Sequence, residues 1–310
     1  MSILICGSLA FDTITRFEGR FAQQILPDQV HILNVSFLVP TLRKEFGGCA
    51  GNIAYSLYQL GGIPRVMATV GPDGADYLAR MHSWRVPMDL VKTVTDSYTA
   101  QAIIITDSDN NQITAFHPGA MGQAHTQPVP DNTQGDIVLA IVAPDGRDAM
   151  IEHAAQLAAQ HIPFVFDPGQ GLPMFDGGDL KRFIQQATWV AVNDYEGKML
   201  ADRTGMSLAD ISALPHIKGV VETLGGDGCV VWQKGVSNRV PGQVADAVVD
   251  PTGCGDAFRG GLLFGLSQGW SLVRSAALGN LMGATKIAHA GPQNYTIQAQ
   301  GLLRQIPADL

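Results

Sequence analysis

Short apolar runs recur along this chain, each closed by a turn signal and followed by a segment with helical spacing of its apolar positions. Residues 3–6 lead into Gly7, 65–70 into Gly71-Pro72, and 136–142 into Pro144-Asp145-Gly146. Residues 163–166 lead into Asp167-Pro168-Gly169, 189–192 into Asn193-Asp194, and 220–224 into Gly225-Gly226-Asp227-Gly228. The segments between them read as helices, among them 51–60, 148–160, 180–187 and 195–203. Continuously apolar strands alternating with helices predict an α/β fold: a doubly wound, mainly parallel sheet with helices on both faces.

Two stretches break the rhythm. Residues 12–46 hold strand-like pieces at 13–17 and 31–37, and residues 98–116 read as a hairpin, with 100–106 and 112–116 flanking a polar turn at 107–111. Four such pieces form either a small second sheet beside the site or edge strands of the main one. The expectation is one domain over 1–310 with a small β-sheet lid, about 13–46 and 98–117.

Composition narrows the class. The 310 residues are 46% apolar and 15% charged, with a net charge of −8 and 20 Lys+Arg. That balance argues against a broad basic surface for nucleic acid. No run approaches the roughly 18 apolar residues of a membrane span, and the apolar N-terminus lacks a basic leader and meets Asp12 early. Cys6, Cys49, Cys229 and Cys254 are scattered without a CxxC pair. A cytoplasmic protein with reduced thiols is the expectation, acting on a small molecule with neither nucleic acid nor membrane as partner.

The sharpest chemical signal is Asp250-Pro251-Thr252-Gly253-Cys254-Gly255-Asp256-Ala257-Phe258-Arg259-Gly260-Gly261, followed by an apolar run of helical length. A glycine-flanked helix start leaves backbone N–H groups free to face one anion, and the helix dipole favours negative charge there. A transferring phosphoryl group needs such positioning, and a carboxylate beside it can accept the proton of an attacking hydroxyl. A helix with an ordinary Asp in its first turn has the same spacing. A nucleophilic Cys254 is the weaker reading, since no His lies near it in sequence.

The full run resembles the second signature of the ribokinase (PfkB) family. The resemblance implies Asp256 as catalytic base, with the backbone of Gly253, Cys254 and Gly255 as an anion hole; Cys254 stands where Ala is usual. Gly47-Gly48-Cys49-Ala50-Gly51-Asn52-Ile53-Ala54, then Leu60-Gly61-Gly62, resembles the first signature and implies Gly48 and Asn52 at the substrate. Asn193-Asp194-Tyr195-Glu196 resembles the family's N-x-x-E motif, which implies Asn193 and Glu196 near Mg²⁺ and the phosphates. Thr223-Leu224-Gly225-Gly226-Asp227-Gly228 resembles its nucleotide turn, implying Thr223, Gly225 and Gly228 there, with Gly255 and Asn280 also on the ATP side. Gly7-Ser8 with Asp12 resembles its sugar-binding start. The likeness extends over the whole chain and further implies a K⁺ facing Asp250 and Thr252, and a homodimer through the lid. Neither GxxxxGK[ST] nor a strand–GxGxxG–helix unit is present, which disfavours a P-loop kinase and a Rossmann oxidoreductase.

Several stretches look closer to the bacterial ribokinase-type adenosine kinases. These are Phe17-Glu18-Gly19-Arg20-Phe21, Leu26-Pro27, Ser36-Phe37-Leu38-Val39, Phe116-His117-Pro118-Gly119-Ala120-Met121 and Asp256-Ala257-Phe258-Arg259. That likeness implies Phe116 against a base, Gln170 hydrogen-bonded near it, and Phe37 adding apolar area. Two positions depart: Ala102 stands where a second aromatic is expected, and Gly171 where a second Gln is frequent. The expected activity is ATP-dependent phosphorylation of a primary hydroxyl of a nucleoside, adenosine to AMP first. The alternatives are a sugar or other nucleoside kinase, or a non-catalytic ligand-binding homologue.

Overall fold

Strand β1 (Ser2–Cys6) shows why the apolar runs have no polar face. Ile3 and Ile5 enter one hydrophobic core, while Leu4 and Cys6 enter another on the opposite side of the sheet. The structure is a computed structural model that describes residues 1–25, 34–109 and 111–310. After β1 come β2 (Ala10–Arg16), β3 (Thr41–Gly47), β4 (Pro64–Val70), β5 (Val91–Thr93), β6 (Ala100–Thr106) and β7 (Gln112–His117). They are followed by β8 (Ile137–Val142), β9 (Phe164–Phe166), β10 (Trp189–Asn193), β11 (Gly219–Thr223), β12 (Gly228–Gln233) and β13 (Val236–Pro241).

Among the described residues the main sheet has nine strands in the order β13-β12-β11-β10-β9-β8-β1-β4-β5. Its pairs are parallel from β11 to β5, and antiparallel where β11, β12 and β13 fold back. The two-residue loop Lys234-Gly235, both at positive φ (52° and 81°), matches the twist of that last hairpin. The chain leaves β1 for β4 on one side and returns to β8 on the other. A crevice therefore opens at the carboxyl ends of β1 and β8, where open α/β sheets hold ligands.

The irregular stretches do make a second sheet, among the described residues four strands in the order β3-β2-β6-β7. Its root is held by Phe11, Phe46 and Tyr77, with ring centroids 5.1–5.8 Å apart. The strand expected at 31–37 is not where the fourth strand lies. Residues 34–40 carry no regular structure, residues 31–33 are outside the described set, and the strand is β3. The polar Arg43, Lys44 and Glu45 hid it from an apolar-run reading, because the sheet exposes this edge. The Leu26-Pro27 stretch also lies outside the described residues.

The expected helices are present as Cys49–Gln59, Arg147–Ala159, Gly177–Gln186 and Asp194–Thr204. Beyond them, Cys254–Ser267 packs against both Leu272–Ile287 and Cys49–Gln59. Close approach needs glycine here. A Cβ on Gly261 would stand 2.9 Å from Gly279 Cα, and one on Gly260 would stand 2.5 Å from Ser56 Cβ. No helix among the described residues is long and apolar enough to cross a membrane.

Because the Gly261 contact is backbone against backbone, neither helix can yield by a rotamer change. Gly261→Ala is expected to destabilise the fold by about 1–3 kcal/mol. Urea titration should show a lower midpoint at unchanged slope; an unchanged midpoint would mean that the helices tolerate the added methyl.

Candidate active site

The start of helix Cys254–Ser267 is shaped by Gly253. This residue has φ +79°, and a Cβ there would lie 2.6 Å from Pro292 Cβ, so glycine is required twice over. The regular ladder begins with Ala257 N donating to Gly253 O at 2.9 Å. Ahead of it, the N–H groups of Gly253, Gly255 and Asp256 meet no acceptor among the described residues. Cys254 departs from the expected set of three amides, since its N–H turns back to Pro251 O at 3.2 Å. Burial also pushes its thiol up to about 11, which makes it a poor nucleophile.

Asp256 sits in the first turn, and Asn52 Nδ2 donates to its Oδ2 at 2.8 Å. Asn52 belongs to helix Cys49–Gln59, whose first N–H, that of Cys49, is accepted by Ser8 Oγ at 3.2 Å. A chain of donors sets the Asn52 amide. Tyr77 OH donates to Gly47 O (2.7 Å), and Gln293 Nε2 donates both to Tyr77 OH (2.7 Å) and to Asn52 Oδ1 (2.9 Å). With its oxygen held this way, the Asn52 NH₂ must face Asp256.

Burial pushes the Asp256 carboxyl up to about 6; the Asn52 bond and Arg259 oppose the rise, while Asp167 and Asp12 add to it. Arg259 forms a bidentate pair with Asp167 at 3.0 and 3.1 Å, both side chains 6% exposed. Glu196 lies close enough to feel the same two charges. Its own carboxylate caps helix Asp194–Thr204, accepting from Asn193 N (2.8 Å) and Asn193 Nδ2 (2.9 Å), while Asn193 Oδ1 accepts from Glu196 N (2.7 Å). The N-x-x-E spacing is therefore a capping box as well.

The second sheet brings together residues far apart in sequence. Asp12 pairs with Glu45 on β3 and Ala102 on β6, and Ala102 pairs with Phe116 on β7. Direct partners share a face, so Glu45, Asp12, Ala102 and Phe116 form one row. No donor among the described residues reaches the Asp12 carboxylate, which burial, Glu45 and Asp250 raise to about 6. Phe116 is 53% exposed. Phe37 does not join it. Its ring lies 5.0 and 5.1 Å from those of Phe17 and Phe21, in a cluster of their own.

Gln170 is exposed in the turn Gly169–Met174 after β9. A Cβ at 171 would lie 3.2 Å from Met174 Cε and 3.3 Å from Met150 Sδ.

A cavity of about 440 Å³ adjoins the helix start. Thr223, Gly225, Gly228, Gly255 and Asn280 all line it, while Asn193 and Glu196 do not. Asn193 is one strand over, paired with Thr223.

The expected K⁺ position fares differently. Every oxygen of Asp250 already has a donor: Oδ1 takes Thr252 N (2.9 Å), and Oδ2 takes Gly291 N (2.9 Å) and Arg43 (3.3 Å). Its carbonyl takes Lys286 Nζ at 2.7 Å. Burial works against the Asp250 carboxylate, yet the Gly291 and Thr252 donors bring it down to about 2. Asp250, with each of its oxygens engaged, does not fit a metal cation here. Lys286, Gln293, Tyr77 and the Asp167–Arg259 pair were not singled out from sequence. Lys286 did leave a signal: it follows Leu278 and Met282 at i+4 intervals on a buried helix face.

A sequence profile described as pfkB family carbohydrate kinase matches residues 22–299. The structure resembles that of a Burkholderia thailandensis nucleoside kinase in complex with inosine, at TM-score 0.87 and 49% identity, covering 98% of this chain and 97% of that one. The same kinase in complex with ADP-inosine matches at TM-score 0.84 and 50% identity, covering 98% and 96%. A nucleoside kinase from Methanocaldococcus jannaschii is 26% identical over 88% of this chain and 86% of its own length.

A carboxylate that takes a proton works only when ionised, so phosphoryl transfer should fall as pH drops below about 6 and level off above it. Asp256→Asn should lower kcat by about 10²–10⁴-fold with substrate affinity little changed. Steady-state pH profiles of both proteins test this, and near wild-type turnover of the variant would remove Asp256 from the chemistry.

Proposed function

Because the chain belongs to the pfkB family of carbohydrate kinases, a family of phosphotransferases with a hydroxyl acceptor, we propose that it phosphorylates the 5′-hydroxyl of purine nucleosides with ATP. The observation that carries the purine nucleoside is the lid row. Asp12 and Phe116 are two strands apart on one face, about 10 Å at the usual strand spacing, with the small Ala102 between them. A nucleoside reaches from a carboxylate holding its vicinal hydroxyls to an aromatic face beneath its base; a free pentose does not. Ala102 leaves the base held on one aromatic side, so selectivity among purines is loose. Adenosine and inosine are both acceptors in this reading. The nucleoside kinases to which the chain is similar support it.

The nucleotide occupies the cavity lined by Thr223, Gly225, Gly228 and Asn280, with its phosphates toward the Gly253–Asp256 amides. Those amides stabilise charge as it develops on the transferring group. Asp256 accepts the proton of the 5′-hydroxyl while Asn52 keeps its carboxylate aimed, and Ser8 and Gly48 close the substrate side. Three carboxylates (Asp167, Glu196, Asp256) face a single guanidinium (Arg259), which leaves negative charge suited to a hard cation. When bound, Mg²⁺ would be held by the phosphates on the side of Glu196 and would supply neutralising charge to the polyphosphate. Gln170, exposed beside the site, hydrogen-bonds the purine edge.

The other face of the lid exposes Leu42, Ile103 and Ile113 (67%, 44% and 40%), and a second copy of the chain covers it in this reading. Light scattering should give a dimer mass, and Ile113→Glu should give a monomer; a wild-type monomer at working concentration would discard the pairing.

An ADP-release assay across adenosine, inosine, guanosine, cytidine, ribose and fructose phosphates tests the substrate. Purine nucleosides should lead, and EDTA should abolish turnover. Phe116→Ala should raise KM for adenosine several-fold, in line with about 0.5–1.5 kcal/mol of ring contact beyond area burial. If ribose or a fructose phosphate outperforms every nucleoside, the acceptor assigned here is wrong.

A further inference from the structure

Lys286 is a lysine with no solvent exposure, an unusual state for an ammonium group. Its Nζ donates to Asp250 O at 2.7 Å and to His289 O at 3.1 Å. Asp250 opens the turn that ends in Gly253, Gly255 and Asp256, whose free amides form the anion site. The same segment is stitched to the end of the lysine's own helix, since Val249 N and Asp250 N both reach Ile287 O (2.9 and 3.1 Å). Gly291 N holds the Asp250 carboxylate from the other side at 2.9 Å. The ammonium thus sits among backbone carbonyls beside a carboxylate, the oxygen-rich setting that also suits a bare monovalent cation. A second positive ion there would lack free oxygen donors on Asp250 and would face Lys286 and Arg43 at short range.

We infer that the Lys286 ammonium serves as the built-in monovalent cation of the phosphate-binding turn, so that this chain needs no K⁺. The lysine acts through the turn rather than on the substrate, which makes it a positioning residue. Burial lowers its tendency to be charged, and the neighbouring Asp250 carboxylate opposes that change. Truncation to alanine leaves a hole of cation size flanked by the carbonyls of residues 250 and 289, and a free cation can fill it.

The inference rests on the reading of residues 253–256 as the phosphate site, and the test separates the two. Wild type and Lys286→Ala are compared at constant ionic strength in tetramethylammonium, Na⁺, K⁺ and methylammonium chlorides. Two readouts are taken: nucleoside turnover, and the thermal midpoint of the substrate-free protein. Wild-type rate and midpoint should agree across the four salts within about 1.5-fold and 1 °C, respectively. Lys286→Ala should lose tenfold or more in kcat and several degrees in tetramethylammonium, and K⁺ or methylammonium should recover much of both. A several-fold activation of wild type by K⁺ over tetramethylammonium overturns the inference. So does a variant that keeps its full rate without a small cation, or one whose loss no cation repairs. Should the variant not fold, the wild-type salt series decides alone. If no nucleoside turns over, the kinase reading fails while the thermal midpoints still test the cation.

Discussion

The hydrogen bond from Asn52 to Asp256 joins two helix starts that the chain places some two hundred residues apart, and much of the molecule serves to hold it. Helix Cys49–Gln59 begins where the second sheet returns to the body, and helix Cys254–Ser267 begins at the turn beside the 440 Å³ cavity. In the proposed reading the contact ties the substrate side to the phosphate side through one carboxylate. Its geometry is inherited from Gln293, Tyr77 and Gly47, each of which makes the next orientation obligatory. A hydrogen bond to a charged group contributes about 1.5–3 kcal/mol, more than enough to choose one rotamer for Asp256.

Electrostatics at this point is a contest with a useful outcome. Burial and the neighbouring Asp167 and Asp12 carboxylates disfavour ionised Asp256, whereas Asn52, Arg259 and the helix dipole favour it. The balance leaves a base stronger than an exposed aspartate and still ionised near neutral pH. Arg259 manages this because Asp167 holds it bidentately and fully buried. Breaking such a pair by removing one partner costs about 3–5 kcal/mol, so the guanidinium is a fixed rather than a mobile charge.

The lid solves a different problem. A single sheet has two faces, the proposed substrate side and the side away from it, and the pleat sorts the residues accordingly. Asp12, Ala102 and Phe116 fall on the first face, while Leu42, Ile103 and Ile113 fall on the second. The root stays attached because Phe11 and Phe46 pack on Tyr77, the residue that also takes part in orienting Asn52. Lid position and base orientation thereby share a support.

Local chemistry was readable along the chain: the parallel α/β sheet from its two-faced apolar runs, the hairpin β6–β7 from its polar turn, and the glycine-flanked helix start at Asp256. Those features depend on residues within one turn or one strand of each other, so spacing alone exposes them. β3 escaped because its register is set by β2 across the sheet rather than by an apolar pattern of its own. Phe37 looked like a pocket residue and instead found Phe17 and Phe21, a choice made by tertiary packing. The expectation of K⁺ at Asp250 and Thr252 turns on the same kind of contact. Asp250 carries the right oxygens in sequence, but which donors satisfy them depends on a helix that comes back to the turn from residue 286. Sequence determined which groups can do chemistry; the fold decided which neighbours each one meets, because long-range contacts alone bring those partners within hydrogen-bond distance.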